Sequence, residues 1–190
     1  VGGGREVVVV EFIGIAVELI KALVGERNVC SPKLGNFGRQ FGQQALIDKT
    51  VAVFADAKIS GRVDTGEIVE NLLSLSGEDL QTIPRKGLPD WVGTPRVRVM
   101  ILTNQLPRMA DDAGALLSRF LPLMLTESFV GREDLALAPR LMAELPGILL
   151  WALDGADRLR QRGRFLDSVR HQDIRADLEE LNSPVTVFVR

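Results

Sequence analysis

Cysteine and histidine are almost missing from this chain: Cys30 and His171 are the sole examples of each among 190 residues. A single cysteine excludes an intrachain disulfide framework, and one thiol with one distant imidazole cannot build the usual zinc cage, so a reduced, cytoplasmic setting is expected. Cys30 reads as a small buried hydrophobe, and His171, in a polar segment, as a surface residue. A surplus of charge is missing as well. The formal net charge is −2 and the pI about 5.6, which gives no global electrostatic case for nucleic acid; any such contact must come from a local cluster. Long apolar runs are absent too. Val7–Val10 and Phe12–Val17 are broken by Glu11 and Glu18, well short of the roughly 20 residues a membrane helix needs. No basic segment precedes them, so neither a signal peptide nor membrane association is expected.

What is present is a foldable chain. With 46% hydrophobic and 25% charged residues, it can bury one sizeable core, and disorder is not expected. The first residue is Val1, and the last segment, Pro184–Arg190, stops while still reading as a strand. Both ends read as cut.

In chain order, residues 1–10 combine three glycines with the β-branched Val7–Val10 and read as a loop feeding a buried strand. Ile15, Leu19, Ile20 and Leu23 then fall at helical spacing, and Gly25 stops the helix. Leu34, Phe37, Phe41 and Leu46, interrupted by Gly35, Gly38 and Gly42, suggest a short irregular helix within Ser31–Ile47. Thr50–Ala55 is an apolar run suited to a strand buried on both faces, ending at Asp56. Ile68, Val69, Leu72 and Leu73 mark an amphipathic helix over Thr65–Ser74, closed near Gly77. Leu80–Gly93, with Pro84, Arg85, Lys86, Gly87, Pro89 and Trp91, reads as a hairpin or extended loop. Its two cations and nearby aromatic suit either a grip on a nucleic-acid backbone or an ordinary solvated turn.

A second buried strand runs from Arg96 to Thr103 and ends at Asn104. Asp111 and Asp112 precede a short helix that carries Arg119 at its far end. Phe120–Leu125, interrupted by Pro122, reads as an edge or terminal strand. Two helices follow, over Arg132–Glu144 and Ile148–Arg162. The second would turn Leu149, Leu150, Leu153, Ala156 and Leu159 toward a core and Arg158, Arg160 and Arg162 toward solvent. A weak helix is expected around Asp173–Leu181.

A strand followed by a helix near the start of a chain is where a phosphate-binding loop belongs. That loop needs glycines whose N–H groups wrap phosphates, a lysine for the β/γ oxygens and a hydroxyl for magnesium. Nothing between Val1 and Gly25 satisfies this pattern, and Gly2–Gly4 alone suits a flexible end better than a phosphate nest. The apolar strand ending in Asp56 has the form of a Walker-B strand, whose aspartate holds the water shell of a magnesium ion. A strand ending in Asn104 with Arg119 beyond it has the form of a γ-phosphate sensor followed by an arginine finger.

Four stretches taken in order carry a family resemblance: Val51–Arg62; Leu75–Asp79 with Thr82–Lys86; Val99–Arg108; and Gly114–Phe120. Together they resemble the helicase half of phage and plasmid primase–helicases, the superfamily 3 branch, and Leu145–Gly155 is similar to the helical region that follows in those proteins. The resemblance implies an α/β fold: an AAA-like P-loop NTPase core with a mostly parallel sheet flanked by helices, followed by a helical segment. The core would occupy residues 1–130, the helical region 131–182, and the start of a truncated C-terminal region 183–190.

It also implies an ATP-driven, hexameric translocase on single-stranded DNA. Asp56 resembles the Walker-B residue that holds Mg2+ through water, and Asn104 the sensor that orients the attacking water, so both would bind the ATP cofactor. Arg119 would be an arginine finger reaching a neighbouring subunit, and Arg85 and Lys86 would sit on the pore hairpin that tracks DNA. The departures are a Val8–Gly14 stretch where Gly-Lys-Ser/Thr should stand, with Glu11 bringing negative charge, and Ala57 where a second acidic residue is common. The expectation is a helicase fragment inactive alone for want of its Walker-A loop. The alternative is a non-catalytic remnant that assembles with other subunits or binds single-stranded DNA.

Overall fold

The computed structural model describes residues 6–55, 65–103, 119–121, 123, 125 and 131–166. The chain is mixed α/β, with a small parallel sheet, a two-stranded hairpin and four α-helices among the described residues.

The first helix, α1 (Glu6–Val24), corrects the expectation of a strand at Val7–Val10, because the backbone is helical from Glu6 onward. The sequence carries a reason. Ile15, Leu19, Ile20 and Leu23 fall at helical spacing, and the helix they define runs on toward the N-terminus through the four valines. That period overrides the local β preference of four consecutive valines. The end is as expected: the Gly25 N–H donates to the Lys21 carbonyl at 2.9 Å, and its φ of 89° is a conformation that glycine adopts without a Cβ penalty.

Three strands form the parallel sheet: β1 (Val29–Cys30), β2 (Val51–Phe54) and β5 (Arg98–Ile101), in the order β1-β2-β5. Val51 aligns with Val29 on one side and Arg98 on the other, and Phe54 with Ile101. The central strand β2 lies within the run Thr50–Ala55, as expected. Ala52, Val53 and Phe54 are all fully buried, so both faces of the strand are covered, as a parallel sheet requires. The two-residue β1 carried no run long enough to be read.

Helix α2 (Thr65–Ser76) covers one face of the sheet, burying Ile68, Val69, Leu72 and Leu75 with Phe54, Ala52 and Val97. Leu75, rather than Leu73, completes the buried stripe; Leu73 packs at its margin. The segment expected as an irregular helix is instead two 3-10 turns, Leu34–Asn36 and Gln44–Leu46, joined by tight turns. It delivers Leu34, Phe37 and Leu46 to the same core, where the Phe37 and Phe54 rings meet edge to face at 5.1 Å. The Asn71 side-chain amide donates to the Phe37 carbonyl at 3.1 Å and ties α2 to this segment.

Between β2 and β5 the chain also builds an antiparallel hairpin, β3 (Gln81–Arg85) and β4 (Leu88–Gly93), as expected for residues 80–93. The described residues of the 120–125 run are not in a strand. Pro122, in the middle of that run, has no N–H to give a ladder.

Helices α3 (Leu137–Ala143) and α4 (Leu145–Arg162) form the last described unit, against which α1 runs. Helix α3 begins later than expected. Asp134 forms the turn that precedes it, its carbonyl accepting from Leu137 N at 3.0 Å and its carboxylate from Ala136 N at 3.0 Å. The expected core face of α4 is a further correction, since no residue of that helix is buried and Leu149, Leu150 and Leu153 are exposed. The expected helices after Asp111 and around Asp173–Leu181, the end at 183–190 and His171 lie outside the described residues. Among the described residues no helix is long and apolar enough to cross a membrane.

Candidate functional site

The hairpin turn is built from its own sequence. Arg85 pairs with Leu88 around the two-residue turn Lys86–Gly87, and Gly87 supplies the positive φ, 71°, at the second turn position. Just below, the register shifts by one between Ile83 and Arg85, so that Pro84 faces both Pro89 and Asp90. A proline cannot donate to the ladder, and a bulge that twists the strands is the usual accommodation. Ile83 is buried and roots the hairpin; Lys86 and Leu88 at its end are exposed.

Two hydrogen bonds fix the turn. The Arg85 Nε donates to the Pro89 carbonyl at 2.7 Å, aligning the guanidinium along the turn. The Lys86 backbone N–H donates to Gln44 Oε1 at 3.1 Å, so the turn rests on the 3-10 turn Gln44–Leu46 and does not project alone. Gln44 is a residue that sequence reasoning missed: a neutral side chain 42 positions away carries no local signal.

The same segment presents an aromatic. Phe41 is exposed and has φ 67°, a left-handed conformation that costs a non-glycine residue roughly 1–2 kcal/mol. The following glycine holds it there. A Cβ at Gly42 would stand 2.1 Å from the Asn36 carbonyl oxygen, and the Gly42 N–H donates to Arg39 O at 2.8 Å. The Phe41 carbonyl in turn accepts from Gln44 N at 3.1 Å, linking this strained turn to the hairpin's support. Arg39, Phe41, Arg85 and Lys86 thus lie on one connected piece of backbone and hairpin.

Arg119 stands elsewhere, at the C-terminal turn of α2. Its Nη1 donates to the Leu73 carbonyl and to Ser76 Oγ, both at 3.0 Å. A cation there complements the negative end of the helix dipole and satisfies terminal acceptors. Asp56 and Asn104 lie outside the described residues. The strand ends that precede them are adjacent: Phe54 is in register with Ile101, and Leu102 N donates to Phe54 O at 2.9 Å.

The described residues contain no Gly-Lys-Ser/Thr phosphate loop. From Glu6 onward, the stretch in which the resemblance calls for a glycine loop is continuous helix, and beyond the first turn of an α-helix the N–H groups are engaged along the helix and cannot wrap phosphates. Among the described residues no cluster of three or more histidine, cysteine or acidic side chains could hold a metal ion. No catalytic step through ATP or magnesium is derived from them.

Among the described residues two titrating groups are perturbed. Burial pushes the Cys30 thiol up from its ordinary value, with Lys49 partly opposing. The Gly131 backbone N–H, at 2.7 Å, leads the effects that hold the exposed Glu133 carboxylate below its ordinary range. An open cavity of about 380 Å³ lies where α3 meets α4, lined by Ala143, Glu144, Pro146, Gly147, Ile148 and Trp151. Its walls carry a single charged side chain and no nucleophile.

Fold and site define a class: a mixed α/β chain whose parallel sheet is interrupted, between its second and third strands, by a basic-tipped hairpin. Residues 9–119, more than half of the 190, match the family of unknown function DUF5906, and the chain belongs to that family. A comparison with curated proteins found no match.

Proposed function

We propose that this chain is the helicase-like domain of a phage- or plasmid-type replication protein of superfamily 3, with an AAA-like, P-loop-derived core, and that it binds single-stranded DNA through its hairpin without hydrolysing ATP on its own. The observation that carries the reading is the hairpin itself, set between two parallel strands with Arg85 and Lys86 at its turn and braced by Gln44. Cations supply the sequence-independent grip on phosphates, and an exposed aromatic such as Phe41 offers a base a surface to stack on. In this reading Asp56 and Asn104 keep the ancestral Walker-B and sensor positions, Arg119 the finger, and intact subunits form a hexameric, cytoplasmic ATP- and Mg2+-dependent ring. The continuous helix α1 favours the second reading, a non-catalytic module for oligomerisation or single-stranded-DNA binding, over an active enzyme.

The test is fluorescence anisotropy of a labelled oligothymidylate with the full chain over a salt series, beside an ATPase assay. Wild type should bind with an affinity that falls as salt rises, the logarithmic slope being about −0.7 for each phosphate contact. Lys86→Ala and Arg85→Ala should each flatten that slope and weaken binding by about threefold to tenfold, and Phe41→Ala should weaken binding with the slope unchanged. Wild-type binding that is absent, or indifferent to both cations, would sink the DNA reading. Robust DNA-stimulated hydrolysis lost in Asp56→Ala would overturn the claim that the chain is inactive alone.

A further inference from the structure

The three donors that converge on the Leu73 carbonyl make an unusual end to α2. Gly77 N reaches it at 2.9 Å as the last helical bond, Ser76 Oγ at 3.0 Å, and Arg119 Nη1 at 3.0 Å, while the same Nη1 also donates to Ser76 Oγ at 3.0 Å. A carbonyl oxygen has two lone pairs, so three donors compete for it and none gets its full strength. The guanidinium itself is exposed, so water can take the place of either acceptor. The turn is shaped to admit it. A Cβ on Gly77 would come within 3.3 Å of Nη1, and Glu78, at φ 56°, sends its carboxylate to Arg98 instead, at 3.2 Å.

We infer that Arg119 is a latch: in the isolated chain it is parked in cis on the last turn of α2 by an exchangeable clasp, and that turn must release it before it can meet a phosphate oxyanion held by another subunit. The inference rests on the proposed finger role for the direction of release, but the clasp itself is a property of this chain alone. A shared, solvent-reached acceptor gives it little strength, as a reversible latch requires. Ser76 is the positioning residue: it accepts from Arg119 and, by donating to Leu73, sets the geometry of the acceptor they share.

The latch is tested on the full chain by labelling arginines with a dicarbonyl reagent and reading each site by mass spectrometry, with Arg96 and Arg162, both exposed, as internal references. Ser76→Ala leaves Arg119 chemically intact but removes one of its two acceptors among the described residues, and should speed labelling at Arg119 by about fivefold relative to the references. In a second measurement, Arg119→Ala should raise amide hydrogen exchange at Gly77 a few-fold while the interior of α2 stays protected. An Arg119 rate unchanged by Ser76→Ala, or one that rises only together with the references, overturns the latch. Neither measurement involves nucleotide or DNA, so a failed latch and a failed helicase reading are separable results.

Discussion

Residues 29–103 and residues 131–166 solve the same problem in opposite ways. The first region holds every buried hydrophobic among the described residues, from Val29 to Val97, most of them around one sheet face and α2. The second is as apolar in its middle, Leu145–Leu153 being unbroken by a charge, yet none of its helical residues is buried, and Leu150 and Trp151 stand 68% and 71% exposed. Composition alone does not make a core. The sheet region gathers apolar groups from four separate stretches of chain onto one surface, whereas α3 and α4 have α1 and each other as their main neighbours in the described structure.

The contrast breaks most sharply under matched truncation. Phe54, fully buried and in contact with Phe37, should cost about 3–5 kcal/mol when changed to Ala, whereas Leu150→Ala should fall within about 0.5 kcal/mol. Urea unfolding followed by circular dichroism reads both; equal losses would mean that α4 is covered as fully as the sheet. The next largest effect is expected at Gly42→Ala. Its new methyl would meet backbone oxygen at 2.1 Å, which no side-chain rotation can relieve, so a loss of about 1–3 kcal/mol is expected, with raised hydrogen exchange in the Leu34–Leu46 segment.

What could be read ahead of the structure follows from how local each feature is. β2, α2 and the hairpin were legible because alternation, helical spacing and Pro/Gly punctuation are written within a dozen residues. The strand expected at Val7–Val10 failed because the β preference of four residues is local, while the helical spacing of Ile15, Leu19, Ile20 and Leu23 that continues into them spans a longer window. The α4 core face failed for another reason: a helix can offer an apolar stripe, but whether anything covers it is decided elsewhere in the chain. In the site, Arg85 and Lys86 were visible as a pair, while Gln44 beneath the turn and the Leu73–Ser76 acceptors of Arg119 were not, since each bond joins positions more than 40 apart.

A smaller effect sharpens the surface of the first region. Arg98 and Glu78 pair at 3.2 Å with side chains 77% and 52% exposed, so solvent and salt screen the attraction. Arg98→Ala with Glu78→Ala in a double-mutant cycle should give a coupling below about 0.5 kcal/mol that vanishes in 1 M salt. A salt-independent coupling would show that the β5 end is shielded more than its exposure indicates.

The smallest effect concerns the edge of the sheet at β1. The Cys30 thiol points to the Val51 carbonyl at 3.7 Å in a half-buried site, and burial there disfavours the thiolate more than Lys49 favours it. Its folded value therefore lies above the unfolded one. The sign follows from proton counting: between the two values the folded chain keeps a proton that the unfolded chain has lost, so stability is intact below the unfolded value and declines as pH rises past about 9. Cys30→Ala has no thiol to titrate and should flatten that part of the stability curve, measured by urea unfolding from pH 7.5 to 10, with lysine and arginine still charged over most of the range. Because the sheet region is where burial is complete, the wild-type decline should exceed that of Cys30→Ala; parallel curves would mean that β1 is open enough to solvate a thiolate, and that the boundary of the core lies at β2.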